Sequence, residues 1–323
     1  MSIKQKISDF LKPNYSSLNC GFIINPYSFA EIGGGVATRG VFCGGYNAPS
    51  ILTSMEYITI ATTGNATSFG ELNDGKYAPG GVHSSTRGVL GGGFNSFTTM
   101  EYITIATTGN ATSFGNLYST ADSTGVNSST RGVFCGGISG GTRVDTMEYI
   151  TIATTGNSTS FGSLTVAKRS DGAGDNSDTR GVIMGGDTNS TYVSSMDYIT
   201  IATTGNALNF GNLSVAKAFG GATHDTSRGV FCGGERLVGG NTNLMEYITI
   251  ATTGNATSFG NLLATNVGSG GVSNDTRGVL GGGYTGVYSN VMQYITVQTT
   301  GNATSFGNLN TARYANAGVC NGL

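Results

Sequence analysis

Met55-Glu-Tyr-Ile-Thr-Ile-Ala-Thr-Thr-Gly-Asn-Ala-Thr-Ser-Phe-Gly-Glu-Leu72 is the stretch on which the architecture turns. Met55 to Ile60 alternates with the period of two that sends successive side chains to opposite faces of a strand. Thr62-Thr-Gly-Asn65 reads as a turn, because Gly and Asn accept positive φ at little cost. Ser68 to Leu72 then reads as the returning strand. Upstream, Arg39-Gly-Val-Phe-Cys43 is a short apolar run ended by Gly44-Gly45 and reads as another strand. A fourth, weaker strand is expected in Tyr77-Ala-Pro-Gly-Gly-Val82, just before the next Arg-Gly.

The unit repeats. Tyr-Ile-Thr followed by Ile or Val begins at Tyr57, Tyr102, Tyr149, Tyr198, Tyr247 and Tyr294, at steps of 45, 47, 49, 49 and 47 residues. Outside two gaps of changing sequence the copies are close to identical. Four short strands per unit, with no helical periodicity between them, predict a β-propeller with one blade per repeat. The Gly-Gly pairs at 44/45, 91/92, 136/137, 185/186, 233/234 and 281/282 are expected to close the second strand near the axis, where crowding favours residues without a Cβ.

Composition agrees with a globular all-β chain. Of 323 residues 54 are glycine and none is tryptophan, but 15 Tyr and 15 Phe with only 4 Pro exclude a disordered linker, and no G-x-y triplet marks collagen. A net charge of −2 leaves no basic footprint for nucleic acid. No run of eighteen apolar residues exists to insert in a membrane. The start, Met1 to Lys12, lacks the apolar core of a secretion signal, so synthesis in a cytoplasm is expected. Cys43, Cys135 and Cys232 recur at one position of the repeat and read as small buried residues, not as a disulfide framework.

The blade pattern, Arg-Gly-Val-Phe-x-Gly-Gly followed by Glu-Tyr and then by an aromatic on the last strand, resembles the kelch repeat and the related central domain of galactose oxidase over about residues 33 to 321. Kelch repeats usually carry Trp on the last strand; here Phe69, Phe114, Phe161, Phe210, Phe259 and Phe306 stand instead. The near-identical units further resemble kelch-like repeat proteins of marine tailed bacteriophages. That resemblance implies a virion or tail-appendage protein, made in the host cytoplasm, and transfers no catalytic site.

A propeller must protect the edges of its last blade. Arg313-Tyr-Ala-Asn-Ala-Gly-Val319 aligns with Lys76-Tyr-Ala-Pro-Gly-Gly-Val82, so the C-terminus is expected to add an innermost strand to the blade of residues 39 to 72. Phe29 to Val36 competes for that place, and with Gly21 to Asn25 would instead build part of a seventh blade. Six blades is the reading adopted. Residues 1–20 are read as an anchoring segment and 21–323 as the propeller. Ile3, Ile7, Phe10 and Leu11 follow helical spacing up to Pro13, and this short amphipathic helix either packs on its own propeller or, the reading preferred, docks on another virion subunit.

In a four-stranded antiparallel blade the first and third connections share one face of the disc, and the second and fourth share the other. The constant Thr-Thr-Gly-Asn turns and Arg-Gly entries therefore lie together, and both variable stretches lie opposite. The second-to-third-strand loops on that variable face supply the candidate ligand-binding residues Tyr46, Phe94, Phe97, Arg143, Tyr192, Arg236, Tyr284 and Tyr288. Aromatic planes and polar groups on a rigid scaffold suit a host-surface glycan or receptor; ordinary loop drift is the competing explanation. The repeated Arg39, Arg87, Arg131, Arg180, Arg228 and Arg277 either ring an anion or, the favoured reading, bond carbonyls of a neighbouring blade's turn. The acidic series Glu56, Glu101, Glu148, Asp197 and Glu246, broken by Gln293, sits at the other end of its strand and is not expected to pair with those arginines.

Catalytic patterns are not found in the sequence. The only histidines, His83 and His224, lie far apart in sequence in variable stretches, and no metal-ligand spacing, nucleophile elbow or phosphate loop occurs. Asp171, Asp175 and Asp178 lack the order of a calcium loop and read as solvated. The Asn-x-Thr/Ser triplets follow from the turn sequence. The sequence thus predicts a non-enzymatic virion protein without metal or cofactor, binding a host glycan or receptor, with other virion proteins and further copies of itself as partners. The alternative is a purely structural virion component.

Overall fold

A computed structural model describes residues 38–94, 97–118, 122–169 and 174–321. They belong to the second of two units of the chain, Ala37–Leu323. Ile3, Ile7, Phe10 and Leu11, the proposed 1–20 segment, and Phe29 to Val36 lie outside the described residues.

The described residues form six four-stranded antiparallel sheets arranged as a six-bladed β-propeller. Blade I runs outward from the axis as Ala317–Cys320, Arg39–Cys43, Ser54–Thr59 and Thr67–Glu71. Blades II to VI span 80–116, 124–163, 174–212, 221–261 and 270–308, each in simple sequence order. The C-terminal strand closes the ring as expected, with Val41 opposite Val319 and Cys43 opposite Ala317. The last strand made thus completes the first blade, and no described blade lacks its inner edge.

Every sheet buries both faces against its neighbours. Val41, Cys43, Met55 and Phe69 of blade I pack with Leu90, Ile103 and Ile105 of blade II, while Phe42, Ile58 and Ile60 pack with Val279, Met292 and Phe306 of blade VI. This explains why Val-Phe-Cys is a continuous apolar run where a half-exposed strand would alternate.

The constant turns clamp each blade to the one before. Gly109 and Ala111 of blade II donate their N–H groups to Phe69 and Glu71 carbonyls of blade I, both at 2.8 Å, and Asn110 Oδ1 accepts the Glu71 N–H at 3.1 Å. The same bonds recur around the ring, for example from Gly64 to Phe306 O and from Asn308 N–H to Asn65 Oδ1. The Asn of each Thr-Thr-Gly-Asn turn thus has a structural reason.

Two local readings need correction. The inner strand of blade II is Gly80–His83, not Tyr77 to Val82: Ala78 sits at φ 56° and Pro79 has no N–H, so pairing starts only at Gly80. The double glycines stand one residue later in two blades, at 92/93 and 282/283. They also have a second reason. Gly44 and Gly45 turn out of the strand at φ 63° and 102°, where an L side chain is strained. Crowding applies there too, since a Cβ on Gly44 would lie 2.6 Å from Lys76 O of the connection to the next blade, and it recurs at the glycine after each repeated arginine, where a Cβ on Gly132 would lie 2.5 Å from Val82 Cγ2 of the preceding blade.

Candidate functional site

The six repeated arginines are blade parts. Arg39 Nη1 donates to Ile105 O (3.2 Å) and Ala106 O (2.9 Å) of blade II, and Arg277 reaches round to Ile60 O and Ala61 O of blade I. Each guanidinium also lies over the repeat tyrosine of its own blade, 4.1 to 4.5 Å from the ring centroid. Carbonyl bonding to a neighbouring turn is therefore the reading that holds.

The acidic series anchors the opposite face and has cations of its own, which sequence reasoning missed. Glu246 accepts the Ser214 N–H at 2.8 Å and pairs with Lys217 at 2.8 Å. Asp197 pairs with Lys168 at 3.0 Å, Glu101 with Lys76 at 3.6 Å, and Glu56 with Arg313. All four cations are fully buried. Burial by itself would raise the Glu246 carboxyl, but Lys217 and the Ser214 donors outweigh it and hold the group below the usual range. Where Gln293 replaces the acid, Asn266 replaces the cation, donating to Gly282 O at 3.0 Å while Gln293 accepts the Leu263 N–H at 2.9 Å. The signal was in the sequence: a Lys, Asn or Arg four residues after the repeat leucine in five of the six units.

These pairs hold the connections that build the variable face. The residue after each cation, or after Asn266 in its place, meets the start of its blade's loop: Tyr314 bridges Tyr46, Arg169 bridges Asp187, Ala218 bridges Glu235, and Val267 bridges Tyr284. Three of the eight candidate residues, Tyr46, Tyr284 and Tyr288, consequently converge with Tyr77 and Tyr314 on a cleft of about 450 Å³, whose other walls include Ile51, Val267 and Glu235. The rings touch edge-on or tilted: Tyr46 to Tyr288 at 5.7 Å, Tyr284 to Tyr288 at 5.6 Å, Tyr77 to Tyr314 at 5.8 Å. Phe94 stacks on Tyr77 at 5.1 Å and so supports the cleft from behind.

The remaining candidates do not line it, although Tyr192 bonds its wall residue Glu235 and packs in the cluster of Val267 and Tyr314. Phe97 is exposed. Arg236 donates to Gly239 O within its own hairpin. Tyr192 donates to Glu235 at 3.0 Å and lies edge-on to Phe219. Arg143 joins a charge cluster with Asp187 at 2.5 Å, and Arg169 spans from Asp187 (3.1 Å) to Asp122 (2.9 Å). Tyr77, Tyr314, Arg169 and Asp122 belong to the second variable stretch, which contributed no residue to the sequence-based site although the Lys76-Tyr and Arg313-Tyr alignment pointed to two of them.

The structure places the other titratable groups that the sequence singled out. His83 and His224, distant in sequence, both line the central channel of the ring. Asp175 is fully buried in an inner strand and so does not belong to a solvated loop, whereas Asp178 is exposed in the turn that follows, where its Oδ1 accepts the Ser129 N–H at 2.6 Å; Asp171 lies outside the described residues. The described cysteines, Cys43, Cys135, Cys232 and Cys320, are buried free thiols. No model of a known protein family matches the chain, and no curated protein matches it significantly.

Proposed function

We propose that this propeller is a non-enzymatic recognition module of kelch type, carried on a tailed-phage virion, whose variable face binds a host-surface glycan or receptor. The observation that carries the reading is the tyrosine-lined cleft of about 450 Å³ on the face where the repeats differ. Five tyrosines from three neighbouring blades offer flat apolar surfaces and hydroxyls at low entropic cost, the combination that sugar rings and extended epitopes require. The virion assignment rests on the resemblance of the repeats, with Ile3, Ile7, Phe10 and Leu11 as the proposed attachment to other virion proteins.

A glycan array and whole host cells, probed with the full-length chain and with its Tyr46→Ala/Tyr284→Ala/Tyr288→Ala variant, test the proposal. Saturable binding that the folded variant loses is the expected result. Absence of binding by both folded proteins would overturn host recognition by this face. A second reading, a structural virion component whose loops meet other virion proteins, is favoured by the apolar hairpin residues Leu237, Val238 and Val287, which are 63%, 88% and 69% exposed.

A further inference from the structure

The axial channel carries a group of side chains that the loop face does not use. The last residues of the six inner strands, Cys320, His83, Asn127, Asn176, His224 and Ser273 in ring order, line it together. Ring members pass hydrogen bonds from blade to blade. The His83 N–H donates to Asn127 Oδ1 and the Asn127 N–H to Asn176 Oδ1, both at 3.1 Å, and the His224 N–H donates to Ser273 Oγ at 3.3 Å. The Ser273 N–H continues the series onto the Cys320 thiol, and His83 Nε2 lies 3.3 Å from Cys320 Sγ on its other side.

This cysteine differs from the other three described. Cys43, Cys135 and Cys232 point back at the carbonyls of Val41, Val133 and Val230, and burial pushes their thiols up, Cys43 to about 12. Two further atoms mark the channel as a place built to hold something polar. His83 Nδ1 and His224 Nε2, on residues only 7% and 6% exposed, have no protein partner. A vestibule of about 200 Å³, walled by His83, Asn127, Asn176 and the Ser84, Ser128 and Ser177 turns, leads to this ring from the constant face.

We infer that Cys320 and His83 form a reactive thiol–imidazole pair, reached along the axial channel, which captures small disulfides or thiosulfonates covalently. In that step His83 takes the thiol proton and the Cys320 sulfur attacks one sulfur of the reagent. A new S–S bond forms on Cys320, the reagent's own sulfur–sulfur bond breaks, and its electron pair leaves with the departing thiolate or sulfinate. No other oxidant is needed. The channel itself is narrow, about 50 Å³, which restricts the reagent to a few heavy atoms.

The groups that face the thiol act in one direction. Burial alone would raise Cys320, but the His83 charge and hydrogen bond and the Ser273 N–H bring it down to about 6. Burial would lower His83, but Cys320 outweighs it and the imidazole is raised above its ordinary value. His224, which contacts Asp175 at 3.4 Å, is pushed down to about 4 by burial and by His83, despite Cys320 and Asp225. Asp175 is raised by burial and by Asp225.

The test uses the full-length folded chain treated briefly with methyl methanethiosulfonate between pH 5 and 9, followed by peptide mapping. Cys320 should gain one CH₃S group, with a rate half-maximal near pH 6, while Cys43, Cys135 and Cys232 stay unmodified until urea is added. In His83→Asn, checked for fold by circular dichroism, the midpoint should move above about pH 8, the range of an ordinary thiol. Its rate at pH 6.5 should fall about fivefold, the loss of thiolate being partly offset by the greater nucleophilicity of a more basic sulfur. Cys320 that reacts only on unfolding, a native profile centred above pH 8, or a profile unchanged in His83→Asn would overturn the inference. If the variant does not fold, the native pH profile decides alone.

Discussion

Lys217 and Glu246 show at the scale of single residues how this chain tolerates buried charge. The lysine is fully buried and the acid nearly so, which is stable only because they meet at 2.8 Å and the acid also accepts from Ser214. Glu246→Gln alone should destabilise by about 3–5 kcal/mol in urea unfolding, because it strands the ammonium. Adding Lys217→Asn should recover most of that loss, since Gln293 and Asn266 already occupy the equivalent places in another blade. The sign with pH follows from the lowered Glu246 carboxyl. Its contribution is present above the unfolded value of about 4.3 and is lost as pH falls below that through the folded value. Wild-type urea midpoints should drop on that acid limb, and the double variant's should drop less. Arg131 tests the other face. Its bonds to Ile201 O (3.1 Å) and Ala202 O (2.7 Å) and its place over Tyr149 predict a loss of roughly 1–3 kcal/mol for Arg131→Ala. Lysine should not rescue it, having no planar fork to stack and bond at once.

Among the elements, the inner edge of each blade is set by contact with its neighbour. Gly132, in the strand next to the innermost one, touches the inner strand of the blade before, and a Cβ there would sit 2.5 Å from Val82 Cγ2 and 2.9 Å from Val82 Cβ. Gly132→Ala should therefore cost about 1–3 kcal/mol by overpacking, and Val82→Ala in the same chain should return part of it, both read from thermal or urea unfolding. The same glycine in an isolated hairpin would carry only its small intrinsic penalty. Blade spacing, not strand propensity, makes the position intolerant.

The whole ring depends on its last described strand. Val319 is fully buried between Val41 and the cores of blades I and II, and Ala317–Cys320 covers the edge of Arg39–Cys43. Removing residues 317–323 leaves that edge unpaired and opens both flanking interfaces. The truncated chain should lose its single cooperative urea transition in favour of a broad, early one, and should aggregate in light scattering, whereas the intact chain unfolds as one ring. Closure also fixes the loop face, because Tyr314, which leads into the last strand, bridges Tyr46 of the first hairpin.

The repeat period, the four strands of a blade, the turn at Thr62 to Asn65 and the closing strand were legible in the sequence. Each depends on local periodicity or on comparing one copy with the next, and six copies supply that comparison internally. The alignment of Arg313-Tyr with Lys76-Tyr likewise contained the anchor of the cleft. What the sequence could not place were meetings between copies: Lys217 with Glu246, Tyr46 with Tyr288, and His83 with Cys320, 237 residues away. Those depend on closing the ring, which brings the first and last strands into one sheet and all six inner strands onto one axis. The sequence by itself determined the blade, because backbone pairing and turn geometry act over neighbouring residues. Only the tertiary structure decided the cleft and the channel, because both are made from residues of different blades at distances that ring closure sets.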